Sequence, residues 1–180
     1  MHNIFHKRRV YMLKLRKVEE PMKHLIEFDI YVPIKIRVGH WDMSKEHTIY
    51  WRTGDFEKSL IEIGLGSETG ILRSFTLTEA AIVSSNDQCI ESIDCETIEG
   101  TPLFDISGFP SNGFLDCTNQ FNVYLGQKEL LVSISMNSCI RRIKQDRIEY
   151  WFDSNDNLIS VRVTDITSEE MYTLRQGLQV

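Results

Sequence analysis

The sequence predicts an α+β protein that is mainly β: antiparallel meander sheets with two similar hairpins, closed by one short C-terminal helix. Three observations carry this. Apolar and polar residues alternate over long stretches, as in "LIEFDIYVPIKIRV" (25–38). Two alternating pairs of runs flank five-residue turns, "GSETG" (66–70) and "DSNDN" (153–157). The end of the chain, "TSEEMYTLRQG" (167–177), has a helix-capping signature.

Taken in order, residues 1–24 hold seven Lys/Arg and two Glu. They are expected as a basic N-terminal tail, frayed or helical, ahead of a single mainly-β domain, 25–180, with two related halves. In 25–38, Ile26, Phe28, Ile30, Val32, Ile34, Ile36 and Val38 share one face. Pro33 lacks an N–H and marks an edge strand, or a bulge that splits the run. "HTIYWR" (47–52) is the next strand. Ile61, Ile63 and Leu65 lead into the first turn, and Phe75 and Leu77 leave it. Residues 84–120 are punctuated by Ser, Asn, Asp, Gly and Pro and read as irregular. "FNVYL" (121–125), "ELLVSISM" (129–136) and "CIRRI" (139–143) then follow on short connections. Ile148, Tyr150 and Phe152, with Ile159, Val161 and Val163, form a second hairpin, 87 and 86 residues beyond the matching positions of the first. Thr167 caps the helix with Glu170, Met171 and Leu174 face the sheet, and Gly177 stops it.

Composition excludes several classes. A chain of 180 residues, 42% hydrophobic and 26% charged, buries a core without a disulfide or metal staple. No apolar run approaches ~18 residues, so no membrane span is expected. Cysteines 89, 95, 117 and 139 form no C-x-x-C pair and read as reduced thiols of a cytoplasmic protein. Gly64, Gly66 and Gly70 miss the dinucleotide spacing, and a strand follows them, so they bend a hairpin and do not cradle phosphate. Ser111 in "GFPSNG" lacks the nucleophile-elbow spacing. No His follows position 47 to activate a downstream cysteine. No enzyme activity, cofactor or metal is therefore expected. His40, Asp42 and His47 of "HWDMSKEH" (40–47) remain candidates for a metal or small ligand, at a spacing that matches no zinc pattern.

Charge points to a protein partner. The first 24 residues are net +5, while the rest holds 13 basic and 24 acidic residues. No Lys or Arg lies between Arg73 and Lys128, where eight acids do. Such a body repels nucleic acid and attracts cations. The expected docking face for a basic partner comprises Asp87, Glu91, Asp94, Glu96, Glu99, Asp105, Phe109 and Asp116, with Phe104 and Phe114 as further anchors or as core. The alternatives are a small-ligand or metal site near the 40–47 loop, and a structural subunit self-associating through the edge near Pro33.

"WFDSNDNLISVRVTDITSEEM" (151–171) resembles the closing strand–turn–strand–capped-helix segment of small bacterial immunity proteins from polymorphic and contact-dependent toxin systems. "LIEIGLGSETGILRSFTLT" (60–78) is similar in the same way. Together they span about 40 of the 180 residues. The resemblance implies a cytosolic, non-enzymatic protein that binds and blocks one cognate toxin. It carries no functional residues over, and the basic N-terminal stretch lies outside it.

Overall fold

The two hairpins become the centres of two facing sheets. The computed structural model describes residues 11–40, 45–85 and 94–180. In chain order the strands are β1 (Leu15–Glu19), β2 (His24–Phe28), β3 (Ile34–Val38), β4 (Thr48–Gly54), β5 (Leu60–Gly66), β6 (Leu72–Glu79) and β7 (Val83–Ser85). Then come β8 (Glu96–Glu99), β9 (Thr101–Phe104), β10 (Phe114–Thr118), β11 (Asn122–Leu125), β12 (Leu130–Ser133), β13 (Arg141–Gln145), β14 (Ile148–Phe152) and β15 (Leu158–Val163). The helix α1 (Ser168–Leu178) closes the chain. The protein is thus mainly β, with a short C-terminal helix. No helix among the described residues is long and apolar enough to cross a membrane.

One sheet has the order β10-β4-β5-β6-β3-β2, the other β7-β11-β12-β15-β14-β13-β8. Most pairs are antiparallel, but β10–β4, β7–β11 and β8–β13 are parallel. The order is therefore not a pure meander: β12 lies beside β15, although β13 follows it in the chain. The series β4-β5-β6-β3-β2 recurs as β13-β14-β15-β12-β11, each with a parallel strand added at its first member. Between the sheets Ile36, Ile61, Ile63, Phe75 and Leu77 share one core with Val123, Val132, Tyr150, Phe152 and Val161. Alternation puts Leu131, Trp151 and Ile159 on the outer face of the seven-stranded sheet, where they form a second buried cluster with Cys139.

Residues 11–24, expected as tail, are built into this fold; residues 1–10 lie outside the described residues. Leu13 is fully buried, and β1 pairs with β9 as a two-stranded ribbon. The ribbon ties the two hairpins together. Lys14 bridges Asn157, and Leu103 bridges Ile71. The Leu15 N–H donates to the Asp156 carbonyl and the Phe104 N–H to the Gly70 carbonyl, both at 2.8 Å. The basic side chains serve this geometry: Arg16 donates to the Thr69 carbonyl (3.1 Å) and Lys17 pairs with Glu19 (2.6 Å).

Three further expectations change. The run 25–38 is two strands, because the chain reverses at 29–33, where Asp29 Oδ1 accepts from the Tyr31 N–H (2.7 Å). Among the described residues the outer strand at this end of the sheet is therefore β2, while Pro33 is buried in the turn. The irregular stretch 84–120 contains β8, β9 and β10. Gly177 does not stop α1; Gln179 does, in a left-handed conformation (φ 60°). Glycine stands at 177 because a Cβ there would sit 2.7 Å from the Asp29 carbonyl oxygen.

The capping box forms as expected, and the structure adds Arg147 to it. Glu170 accepts from the Thr167 N–H (2.9 Å) and from both Arg147 Nη atoms (2.9 and 2.8 Å). These Arg147 bonds, opposed by burial and helped by Thr167, hold the Glu170 carboxyl down to about 2 from an ordinary 4.5. A carboxyl depressed on folding stabilises above its unfolded pKa, and that contribution fades as pH falls from 4.5 towards 2. Glu170→Gln should cost about 1–2 kcal/mol at pH 7. Urea unfolding of the variant should also lose less stability than wild type across that acid window.

Candidate functional site

The predicted acidic face is not one surface. Asp87 and Glu91 lie outside the described residues. Asp94, Glu96 and Glu99 are exposed on and just before β8, the outer strand of the seven-stranded sheet. Asp116 lies on β10, the outer strand of the other sheet. These are opposite edges of the sandwich. β10 runs directly into β11, and Asn119 Nδ2 reaches the Ile134 carbonyl (3.0 Å). At the other edge His24 of β2 stands 3.5 Å from Asp146, beyond β13.

The carboxylates also find cations from distant parts of the chain. Glu96 takes Arg141 Nε at 2.9 Å, and Glu99 stands opposite Lys144 in register. Asp116 holds Arg52 through two bonds, 2.7 and 2.9 Å. That guanidinium lies 4.8 Å over the Phe114 ring, which stacks on Tyr50. Asp105 is held below the usual carboxylate range, first by the Ser107 amide, then by the Ser107 hydroxyl, against burial, with Arg16 and Lys14 adding. Phe104 is fully buried in the core, and Phe109 is half-buried against it. Within a stretch without cations in sequence, Glu96 and Asp116 are thus paired in space, while Asp94 and Glu99 keep exposed carboxylates.

The glycine turn does bind an anion, and the anion is its own. Glu46 accepts from the Glu68 N–H (2.9 Å), the Thr69 N–H (3.1 Å) and the Thr69 hydroxyl (2.8 Å). Burial would raise the Glu46 pKa, but these bonds and Arg73 hold it down. A Cβ at Gly66 would overlap the Glu46 carboxylate, so glycine there admits it. The amides a phosphate would use are occupied, which agrees with a hairpin bend.

Beside this turn lies a cleft of about 880 Å³. Its apolar lining comes from Met22, Val38, Ile71, Leu72 and Leu103. Glu19 at the end of β1, Glu20 in the β1–β2 connection, and Lys23, His40 and Lys45 supply charge. Glu19 stands opposite Thr101 on β9, so the acidic wall continues through Gly100 into Glu99 and Glu96 of β8. His40 lines the cleft and His47 is exposed, while Asp42 lies outside the described residues. Among the described residues no three His, Cys, Asp or Glu gather as metal ligands. Burial pushes the Cys117 and Cys139 thiols up, which keeps them protonated in the resting protein.

Sequence reasoning missed the cleft, and it read Glu46 as a possible metal neighbour of His40, Asp42 and His47, not as the carboxylate that fills the glycine turn. The cleft combines four segments far apart in the chain, and Glu46 has no periodic neighbour to flag it. It also missed a contact between Cys95 and Cys139, 44 residues apart. No family model and no curated protein matches this chain.

Proposed function

We propose that this chain is a non-enzymatic protein-binding module, of the immunity or antitoxin kind, that holds a basic partner across the cleft rim and the β8 edge. The observation that supports it is the continuity of an apolar-lined cleft with an acidic wall: Glu19 and Glu20 lead to Glu99, Glu96 and Asp94. An apolar recess takes the anchor side chains of a partner, and surrounding carboxylates steer a cationic surface and set its register. Asp116 lies on the opposite edge, and neither it, Asp105 nor Phe109 is part of this reading. A cytoplasmic location goes with it.

The test starts from a partner captured from the native cell. Asp94→Lys with Glu99→Lys leaves the Glu96–Arg141 pair in place and reverses two exposed charges. Affinity should fall on the order of tenfold at low salt, with the difference shrinking as salt screens it. Undiminished binding by the double variant at low salt would remove this reading.

The same cleft supports a second reading, a small-molecule binder. Its volume lies within the range of ligand pockets, and His40 and Lys45 bring the 40–47 loop to it. Native mass spectrometry and metal analysis of freshly purified protein separate the two: a co-purifying small ligand or stoichiometric metal favours the second.

A further inference from the structure

Cys95 and Cys139 are both free thiols, and their Sγ atoms are 3.4 Å apart. Cys95 lies just before β8 and Cys139 just before β13, and these two strands pair in parallel from Glu96↔Arg141 onward. Carried back, that register sets Cys95 beside Ile140 and Cys139 one residue along, so strands about 4.8 Å apart place the two Cα atoms roughly 6 Å apart, within what a disulfide spans. The sulfurs need to approach by about 1.4 Å to reach bonding distance, a motion within reach of side-chain rotation. The surroundings favour the pair as well. Cys139 is buried with Leu131, Trp151 and Ile159 on the outer face of the seven-stranded sheet, and Cys95 is half-buried against that cluster. Cys95 is the more exposed residue of the two.

We propose that Cys95 and Cys139 form a reversible disulfide under peroxide, locking β8 to β13. The Cys95 thiolate attacks hydrogen peroxide: an S–O bond forms, the O–O bond breaks, and the departing hydroxide leaves as water. Cys95 is then a sulfenic acid. Cys139 attacks that sulfur, the S–S bond forms, the S–O bond breaks, and the hydroxide leaves as water with the Cys139 proton. Two thiols and one peroxide give one disulfide and two waters, with two electrons passing from sulfur to oxygen. Burial, with Cys95 alongside, keeps Cys139 protonated in the reduced state, which assigns the first attack to Cys95. The product fixes the outermost strand of the sheet, held otherwise by a four-residue parallel pairing and the Glu96–Arg141 ion pair. This inference stands independently of what the β8 edge binds.

The experiment treats the reduced full chain with hydrogen peroxide, then quenches, denatures, alkylates with N-ethylmaleimide and maps peptides without reductant. The expected product is a Cys95–Cys139 cross-linked peptide, two hydrogens lighter than its parts and lost on adding dithiothreitol. Because the bond closes a 44-residue separation, the oxidised chain should melt on the order of 10 °C higher than the reduced one. In Cys139→Ser, Cys95 should stop at a dimedone-trappable sulfenic acid, with no rise in melting point. Cys117→Ser should cross-link as wild type does. The proposal is overturned if both cysteines stay alkylatable after peroxide. It is equally overturned if Cys95 ends as a sulfinate in wild type, or if its partner proves to be Cys89 or Cys117.

Discussion

Gly70→Ala should destabilise the fold by roughly 3 kcal/mol or more, read as a lower urea midpoint with an unchanged slope. Gly70 sits at φ 72°, in the left-handed region, where an alanine costs about 1–2 kcal/mol. Steric overlap costs more than this backbone strain. A Cβ at 70 would overlap the carbonyl oxygen of Phe104, and Ile106 crowds it from another side. Relief requires the ribbon strand β9 to move, which breaks the bond from the Phe104 N–H to the Gly70 carbonyl and unseats the fully buried Phe104 ring. Asp156 provides the control. It holds the matching place in the second hairpin, φ 60°, where the Leu15 N–H donates to its carbonyl. Asp156→Gly gives up the bond to Arg141 but eases the backbone, and should stay within about 1 kcal/mol of wild type. Equal losses at the two positions would mean that contact with Phe104 is not what makes Gly70 glycine.

That asymmetry shows what alternation and turn chemistry can disclose and what they cannot. Both hairpins were legible because a half-buried strand writes its inner face into every second residue, and because Gly, Asn and Asp at 66–70 and 153–157 permit the bend. The capping box at Thr167 and Glu170 was legible for the same reason: all its partners lie within four residues. Properties set by distant partners were not. The alternation of 25–38 continues straight through the reversal at 29–33, so periodicity alone cannot tell one long strand from two paired ones. β8, β9 and β10 are four or five residues long, too short for a period to register against their turn-rich surroundings. The acidic stretch misled in a related way. Charge adjacent in sequence makes a field only when it is adjacent in space, and here Arg52, Arg141 and Lys144 are brought to Asp116, Glu96 and Glu99 by strand pairing. The cleft likewise exists only because β1, β3, β6 and β9 converge, and its apolar lining residues do not stand out within their own segments.

A chain started at Met22, lacking the first 21 residues, should fail to reach a unique fold. Two of its losses are apolar: Leu13, fully buried, and Leu15, 9% exposed, each contribute about 2–3 kcal/mol of burial before any cavity is counted. Three others are hydrogen-bond acceptors. Trp51 Nε1 donates to the Tyr11 carbonyl (2.9 Å), and the Leu158 and Asp105 N–H groups donate to the carbonyls of Leu13 and Lys14 (both 2.8 Å). Each donor would be left facing the vacated groove, at about 1–3 kcal/mol apiece if water does not replace the partner. β9 would lose its only paired strand among the described residues, and with it the bridge between the hairpins. The sum rivals the 5–15 kcal/mol that typically holds a domain of this kind together. Near-ultraviolet circular dichroism should therefore lose the signal of buried Trp51 and Tyr150, with far-ultraviolet β signal partly retained. If instead the shortened chain melts cooperatively within a few degrees of the full one, β1 is an attachment and the two sheets hold each other without it.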